Sequence, residues 1–383
     1  MPFDFDHCPD RRSTESFKWK LFNEDVLPMW VADMDFLAPP AVMEALHRRV
    51  DHGIFGYAME SEELKLVIVD RMHRLYNWQI NPEDLVFTPG VVAGFNLAAQ
   101  MFSGSSQEIL IQTPVYPPFL RAPSCAGLKR VDSPLVHNQD GSYSIDTTGF
   151  TKQVSPSTAM FILCNPHNPV GRVFTVEELE EMAQACLSNG TVICSDEIHC
   201  DFIFSGHKHI PIASLSPEIA QNAITLMAPS KTFNIAGLDF AFAIIQNPEL
   251  RSRFRNSCRG LTGGTNMMGQ IAAKAAFEKG EEWLKECIAY LESNRDYLVK
   301  FIQSELPALK TSCPEATYLA WIDCHGLGLD EPPSDFFLRE GKVALNAGEE
   351  FGHGGEGFVR LNFGCPRSFL EDGLNRMARA IKG

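Results

Sequence analysis

Six short apolar runs punctuate the middle of the chain, at residues 85–88, 109–112, 159–163, 191–195, 224–228 and 240–245. Each is too short for a buried helix and lacks the polar alternation of a half-exposed strand, so each predicts a strand covered on both faces. Between several of them the pattern changes to apolar positions three and four apart, as over 176–188, which predicts amphipathic helices. Strands alternating with helices imply an α/β unit around a largely parallel sheet, since parallel neighbours need a crossover long enough to hold a helix. A long helical pattern follows over about 280–305, then strand-like stretches at 317–322 and 358–362 and a helix from about 367, which predict a smaller α+β unit. The expected division is an N-terminal arm, 1–45, packed on the small domain; a large domain, 46–280; and a small C-terminal domain, 281–383. The sequence holds no internal repeat or low-complexity tract.

Ligands of parallel sheets bind beyond the carboxyl ends of the strands, and several of these runs end in residues suited to chemistry. Lys231 follows one of them, in Ala228-Pro229-Ser230-Lys231-Thr232-Phe233-Asn234-Ile235-Ala236-Gly237-Leu238. A lysine offered to a cleft there can condense with an aldehyde, provided burial or a nearby cation keeps its amine neutral; the alternative is a surface lysine in a loop, which most lysines are. Asp196 ends the run Thr191-Val192-Ile193-Cys194-Ser195. An acid in that place holds a cationic ring nitrogen or caps a helix. The run 159–163 leads into Asn165-Pro166-His167-Asn168-Pro169-Val170-Gly171-Arg172, where two Asn-Pro steps and a glycine fix a turn. Thr88-Pro89-Gly90-Val91 reads as a strand end, a glycine and a helix start, the arrangement whose free amides cradle an anion, although such glycine turns are common.

Taken together, Asn165–Phe174, Ser195-Asp196-Glu197-Ile198-His199, Pro229–Leu238 and Val359-Arg360-Leu361-Asn362-Phe363-Gly364-Cys365-Pro366-Arg367 resemble the fold-type-I pyridoxal-phosphate enzymes of the class I/II aminotransferase superfamily. The likeness runs from roughly residue 20 to the C-terminus. Within the superfamily it is nearest to the cystathionine β-lyase, or cysteine carbon–sulfur lyase, branch, as Met29-Trp30-Val31-Ala32-Asp33-Met34-Asp35-Phe36 also suggests.

The resemblance implies pyridoxal 5′-phosphate as cofactor and a role for each matching residue. Lys231 bonds the aldehyde and moves the substrate's α-proton, and Asp196 pairs the pyridine nitrogen. Asn168 hydrogen-bonds the phenolic oxygen, and His199 stands where many transaminases have a tyrosine doing likewise. Tyr116, in Thr113-Pro114-Val115-Tyr116-Pro117, stacks on the ring or else caps a Pro-rich turn. Gly90 and Val91 offer amides to the phosphate and Ser230 a hydroxyl. Two flanks depart from the pattern: Ala228 replaces a serine and Asp239 a basic residue, and an Asp beside a phosphate repels it unless it points away. Arg360, in the alternating run Phe358-Val359-Arg360-Leu361-Asn362, grips the α-carboxylate with its planar fork, or forms a structural ion pair. Tyr57 matches a tyrosine donated to the neighbouring subunit, which implies a homodimer with shared sites.

Composition narrows the partners. A net charge of −15 argues against nucleic acid or an anionic membrane surface, both of which reward clustered Lys and Arg. No run approaches ~18 apolar residues and no basic start precedes an apolar segment, so a cytoplasmic chain without signal peptide or membrane span is expected. The 11 cysteines include no Cys-x-x-Cys pair and read as reduced packing residues. Cys194, His199 and Cys200 match no usual zinc spacing, so no metal is expected. The run Arg255–Gly264 either approaches the cofactor or subunit seam or is a surface loop.

The expected reaction is α,β-elimination from L-cystathionine or a related small-molecule cysteine S-conjugate, giving a thiol, pyruvate and ammonia. An aminotransferase would use the same residues, and a cofactor-binding regulator with little turnover is the third reading. The S-substituent depends on loops such as 113–124 and 258–268, whose shape residue identity does not give.

Overall fold

The computed structural model describes residues 3–383. Seven strands build the central sheet: β1 (Leu85–Thr88), β2 (Glu108–Thr113), β3 (Lys129–Pro134), β4 (Thr158–Cys164), β5 (Val192–Asp196), β6 (Ala223–Met227) and β7 (Ala241–Ile244). Their order across the sheet is β1-β7-β6-β5-β4-β2-β3. Only β7 runs against its neighbours, β1 and β6; the remaining pairs are parallel.

The unbroken apolar runs follow from burial on both faces. Alternate residues of β4 serve different cores: Phe161 and Leu163 pack into one, while Met160, Ile162 and Cys164 pack into the other. Helix Val176–Asn189 covers the first face with Leu179, Met182, Ala183 and Cys186. It starts at a reciprocal Thr175–Glu178 capping box and stops at Gly190, whose φ of 67° lies in the left-handed region open to glycine. Helix Val91–Gln100 covers the opposite face through Phe95, Leu97 and Ala98.

Strand β3 is the one that the hydrophobic pattern does not announce. It lies at the sheet's edge, pairs only with β2, and reads Lys-Arg-Val-Asp-Ser-Pro. An edge strand needs no apolar residue on its open flank, and charges and a proline there discourage pairing with other chains.

A second, antiparallel sheet follows: β8 (Lys310–Thr311), β9 (Leu319–Asp323), β10 (Asn346–Ala347) and β11 (Phe358–Asn362), in the order β8-β9-β11-β10. The N-terminal segment joins this part of the molecule. Leu27–Pro28 pairs in parallel with Val343–Ala344, and the Asn362 amide donates to the Met29 carbonyl at 2.9 Å. The next residues cross toward the large sheet, where Asn234 donates to the carbonyls of Met34 (2.9 Å) and Phe36 (2.7 Å) and accepts from the Met34 amide. Asp35 fastens the crossing from within: its buried carboxylate accepts from Lys18 (2.7 Å), Trp19 (2.8 Å) and Arg11 (2.6 Å). Burying a carboxylate is costly unless donors and opposite charges surround it, as they do here. Residues 30–36 therefore run between the two sheets, beside the carboxyl ends of the parallel strands. Among the described residues no helix is long and apolar enough to cross a membrane.

Candidate active site

Parallel strands end on one edge, so the residues after β4, β5 and β6 are brought together without any long loop. Asp196 is the last residue of β5, Asn168 lies on the turn after β4, and Lys231 sits in the single helical turn Pro229–Thr232 after β6. With Gly90, Val91, Tyr116, His199 and Ser230 they line one cavity of about 170 Å³. Arg360, from β11, lines an adjoining cavity of about 530 Å³ that shares Tyr116 with the first. Tyr57 is the one predicted residue left outside: it is fully exposed, on the coil between helices Pro40–His52 and Glu62–Tyr76.

Burial dominates the electrostatics. The Lys231 amine is lowered to about 8, first by burial, then by Arg360, while Asp33 and Asp196 oppose the shift. Asp196 is raised to about 7 by burial and by neighbouring Glu197, against the Ile198 amide that donates to it at 3.0 Å and the charge of Lys231. His199 is lowered to about 3, by burial and then by Lys231 and Arg360, so its ring is neutral at ordinary pH. Its Nδ1 is buried without a hydrogen-bond partner among the described residues. A buried orphan nitrogen costs free energy unless a ligand satisfies it.

Arg360 is 3 % exposed and held from three sides. It donates to Asn168 Oδ1 at 3.0 Å, to Asn346 Oδ1 at 2.6 Å and to the Trp30 carbonyl at 3.0 Å, and its guanidinium lies 5.0 Å from the Phe351 ring centre. Burial lowers it to about 10, which leaves it charged at neutral pH. The Ala32 carbonyl accepts from both Lys231 Nζ and the Tyr318 hydroxyl, the latter at 3.0 Å. The two parts of the site are thus joined by one Arg360–Asn168 hydrogen bond and by carbonyls of the 30–32 segment.

The anion cradle has its expected elements. Gly90 precedes helix Val91–Gln100, and Gly90, Val91 and Val92 face the cavity with Ser230. The first amides of a helix lack partners within it and attract anions. Asp239 does not oppose this: it is exposed, in the left-handed region at φ 48°, and does not line the cavity. Ala228 is buried in the apolar cluster under the sheet end, where a serine hydroxyl is replaced by packing. No residue of Arg255–Gly264 lines either cavity.

Residue reasoning did not single out Asn346, Tyr318 or the carbonyls of Trp30 and Ala32. Asn346 stands in Ala344-Leu345-Asn346-Ala347, which carries no motif, and Tyr318 hides in an apolar stretch that reads as strand core. A carbonyl has no signature in a sequence, though those of Trp30 and Ala32 lie within the run Met29–Phe36 that carries part of the family resemblance.

The family described as "Aminotransferase class I and II" matches residues 24–377. The chain belongs to it. Within this family it is 43% identical to the protein named cystathionine beta-lyase PatB of Bacillus subtilis over 386 residues, 99% of this chain and 100% of that one. Among solved structures, cystalysin from Treponema denticola, which contains pyridoxal 5′-phosphate, superposes with a TM-score of 0.95 at 33% identity, covering 100% of this chain and 99% of that one. The pyridoxal-phosphate-bound C–S lyase from Staphylococcus hominis gives 0.93 at 37% identity, with 99% of each chain covered. The mostly parallel seven-stranded sheet with a small antiparallel unit is therefore the fold-type-I architecture of these enzymes.

Proposed function

We propose that the chain is a pyridoxal-phosphate-dependent carbon–sulfur β-lyase that cleaves L-cystathionine or a related cysteine S-conjugate. The observation that carries this reading is the convergence of Lys231, Asp196, Asn168, His199 and Tyr116 on one cavity with Arg360 a single hydrogen bond away. End-to-end similarity to proteins named as lyases supports the branch.

The donor set fits the cofactor. A partly neutral amine, a buried acid, an orphaned ring nitrogen on His199 and a helix N-terminus with Ser230 meet, in turn, an aldehyde, a pyridine nitrogen, a phenolic oxygen and a phosphate. When bound, pyridoxal phosphate supplies an aldehyde that bonds an amine and a ring that accepts the electron pair left by a departing α-proton. Asp196 would keep that ring protonated: facing a cationic nitrogen, a carboxyl perched near 7 is drawn to its ionised form. Asn168 and His199 would hold the ring's oxygen edge, and Tyr116 would stack on its face. Arg360 orients the substrate through its α-carboxylate. Lys231, once free, takes the proton from the α-carbon; the bond from the β-carbon to sulfur then breaks and a thiol leaves. The remaining three-carbon fragment hydrolyses to pyruvate and ammonia.

Incubation with L-cystathionine and no keto acid tests the reaction type. Pyruvate is expected to accumulate continuously. A single half-turnover that resumes only when a keto acid is added would replace this reading by transamination, and binding without turnover would favour a regulator.

The working unit is proposed to be a homodimer. Ile54, Phe55, Tyr57 and Met59 are exposed in one short stretch, an apolar concentration that a lone chain gains nothing by presenting to water. In a dimer Tyr57 would enter the partner's site. Tyr57→Ala and Lys231→Ala subunits, each nearly inactive alone, are then expected to recover activity when refolded together, because one site of the mixed dimer keeps both groups. Failure to complement, or sedimentation as a monomer, would exclude shared sites.

A further inference from the structure

The cavity of about 530 Å³ outside Arg360 is larger than an α-carboxylate needs. Phe17, Trp30, Pro117, Pro118, Leu120 and Phe351 give it apolar walls, with the Phe17 ring edge-on to Trp30 at 5.0 Å. Arg360 is the cation at its inner end. Among the described residues, two other charged-type side chains line it, Arg121 and Glu350. They come from different elements: Arg121 from helix Pro117–Cys125, Glu350 from the helical turn Gly348–Phe351. A backbone hydrogen bond of 2.9 Å from the Val115 amide to the Phe351 carbonyl ties these elements together. Among the described residues neither charge has an ion-pair partner. Glu350 accepts one weak hydrogen bond, 3.3 Å, from Asn346 Nδ2, whose own Oδ1 is already taken by Arg360.

We propose that Arg121 and Glu350 read the far end of the S-substituent, so that this site favours cysteine conjugates whose tail is itself a zwitterionic amino acid. The inference rests on the lyase reading and specifies its substrate class. With the α-carboxylate on Arg360, the thioether stem lies along the apolar walls and its tail reaches the rim. There a carboxylate meets the Arg121 guanidinium and an ammonium meets Glu350. A purely anionic tail gains from one group and is repelled by the other; an alkyl tail gains from neither. Because both side chains are exposed, water and salt screen them, and each contributes a factor of about five at most.

Three probes separate the two groups: L-cystathionine, S-carboxyethyl-L-cysteine and S-aminoethyl-L-cysteine, with S-ethyl-L-cysteine as the tail-free reference. Arg121→Ala is expected to lower kcat/KM about three- to fivefold for cystathionine and the carboxyethyl conjugate. It should leave the aminoethyl and ethyl conjugates within about twofold. Glu350→Gln should show the converse, lowering cystathionine and the aminoethyl conjugate. The wild-type preference for cystathionine over S-ethyl-L-cysteine should shrink as salt is raised. Unchanged activity with every tail, or an equal fall with all four substrates, would overturn the assignment while the lyase reading stood. Absence of elimination by the wild type from any of the four would overturn both. Normal turnover of S-ethyl-L-cysteine by each variant shows that it is folded.

Discussion

Replacing Lys231 by alanine is expected to leave a protein that binds pyridoxal phosphate without bonding to it and turns over at least about a thousandfold more slowly. Two jobs are lost together, because the amine proposed to take the aldehyde is also, among the described residues, the one amine that lines the cavity and so the group proposed to move the α-proton. Of its cavity neighbours, His199 is lowered to about 3 by burial and by the charges of Lys231 and Arg360, so it is too weak a base. Borohydride treatment should fix the cofactor to the wild type and not to the variant. Turnover within about tenfold of wild type would mean that another group moves the proton.

The same residue carries a pH dependence whose sign can be worked out. Burial and Arg360 bring the amine down from 10.5 to about 8. At pH 7 roughly a tenth of it is neutral, against roughly one part in three thousand for an unshifted lysine. Only the neutral amine attacks an aldehyde. Covalent capture of pyridoxal phosphate by cofactor-free protein should therefore quicken as pH rises toward 8 and level off above it. A rate still climbing steeply at pH 10 would show that burial does not depress this lysine.

How much of this was legible beforehand depended on what kind of signal each part leaves. Buried parallel strands write themselves as unbroken apolar runs, and those at β1, β2, β4, β5, β6 and β7 were readable. The polar edge strand β3 was not, since one open flank removes the need for apolar residues. Direction was equally silent: β7 is as apolar as β6, and only the 228–240 connection, which holds no helix longer than a single turn, shows that the chain turns straight back. In the site, Lys231, Asp196 and Asn168 stand at strand ends inside recognisable motifs. Asn346 does not, and its bond to Arg360 depends on how β10 registers against β11. Position alone puts the Asp239 charge beside the anion cradle, whereas the residue is exposed, has a left-handed backbone and does not line the cavity. Patterns of residue type report burial and motif well, and they report backbone direction and carbonyl placement hardly at all.

Arg360→Ala is expected to reduce kcat/KM for L-cystathionine by about thirtyfold to a few thousandfold, the cost of removing one partner from a buried, hydrogen-bonded charge pair, about 2–5 kcal/mol. The wide range reflects two effects that act in one direction. The substrate carboxylate loses its fork, and Asn168 and Asn346 lose the donor that now fixes their amide oxygens. Arg360→Lys separates them. An ammonium keeps the charge near Asn168 but cannot span Asn346 and the Trp30 carbonyl while also offering two parallel bonds to a carboxylate. The lysine variant should therefore bind substrate more weakly than wild type but better than alanine, with most of its loss in KM. Alanine should lose kcat as well, because an unanchored substrate presents its α-proton to Lys231 only part of the time. Cofactor uptake serves as the control: Arg360 does not line the inner cavity, so both variants should still capture pyridoxal phosphate at Lys231. A loss of kcat/KM below about tenfold in the alanine variant would place the α-carboxylate on some other group. Arg121, the remaining arginine of the outer cavity, would then be the one to test, and its assignment to the substrate's tail would fall with it.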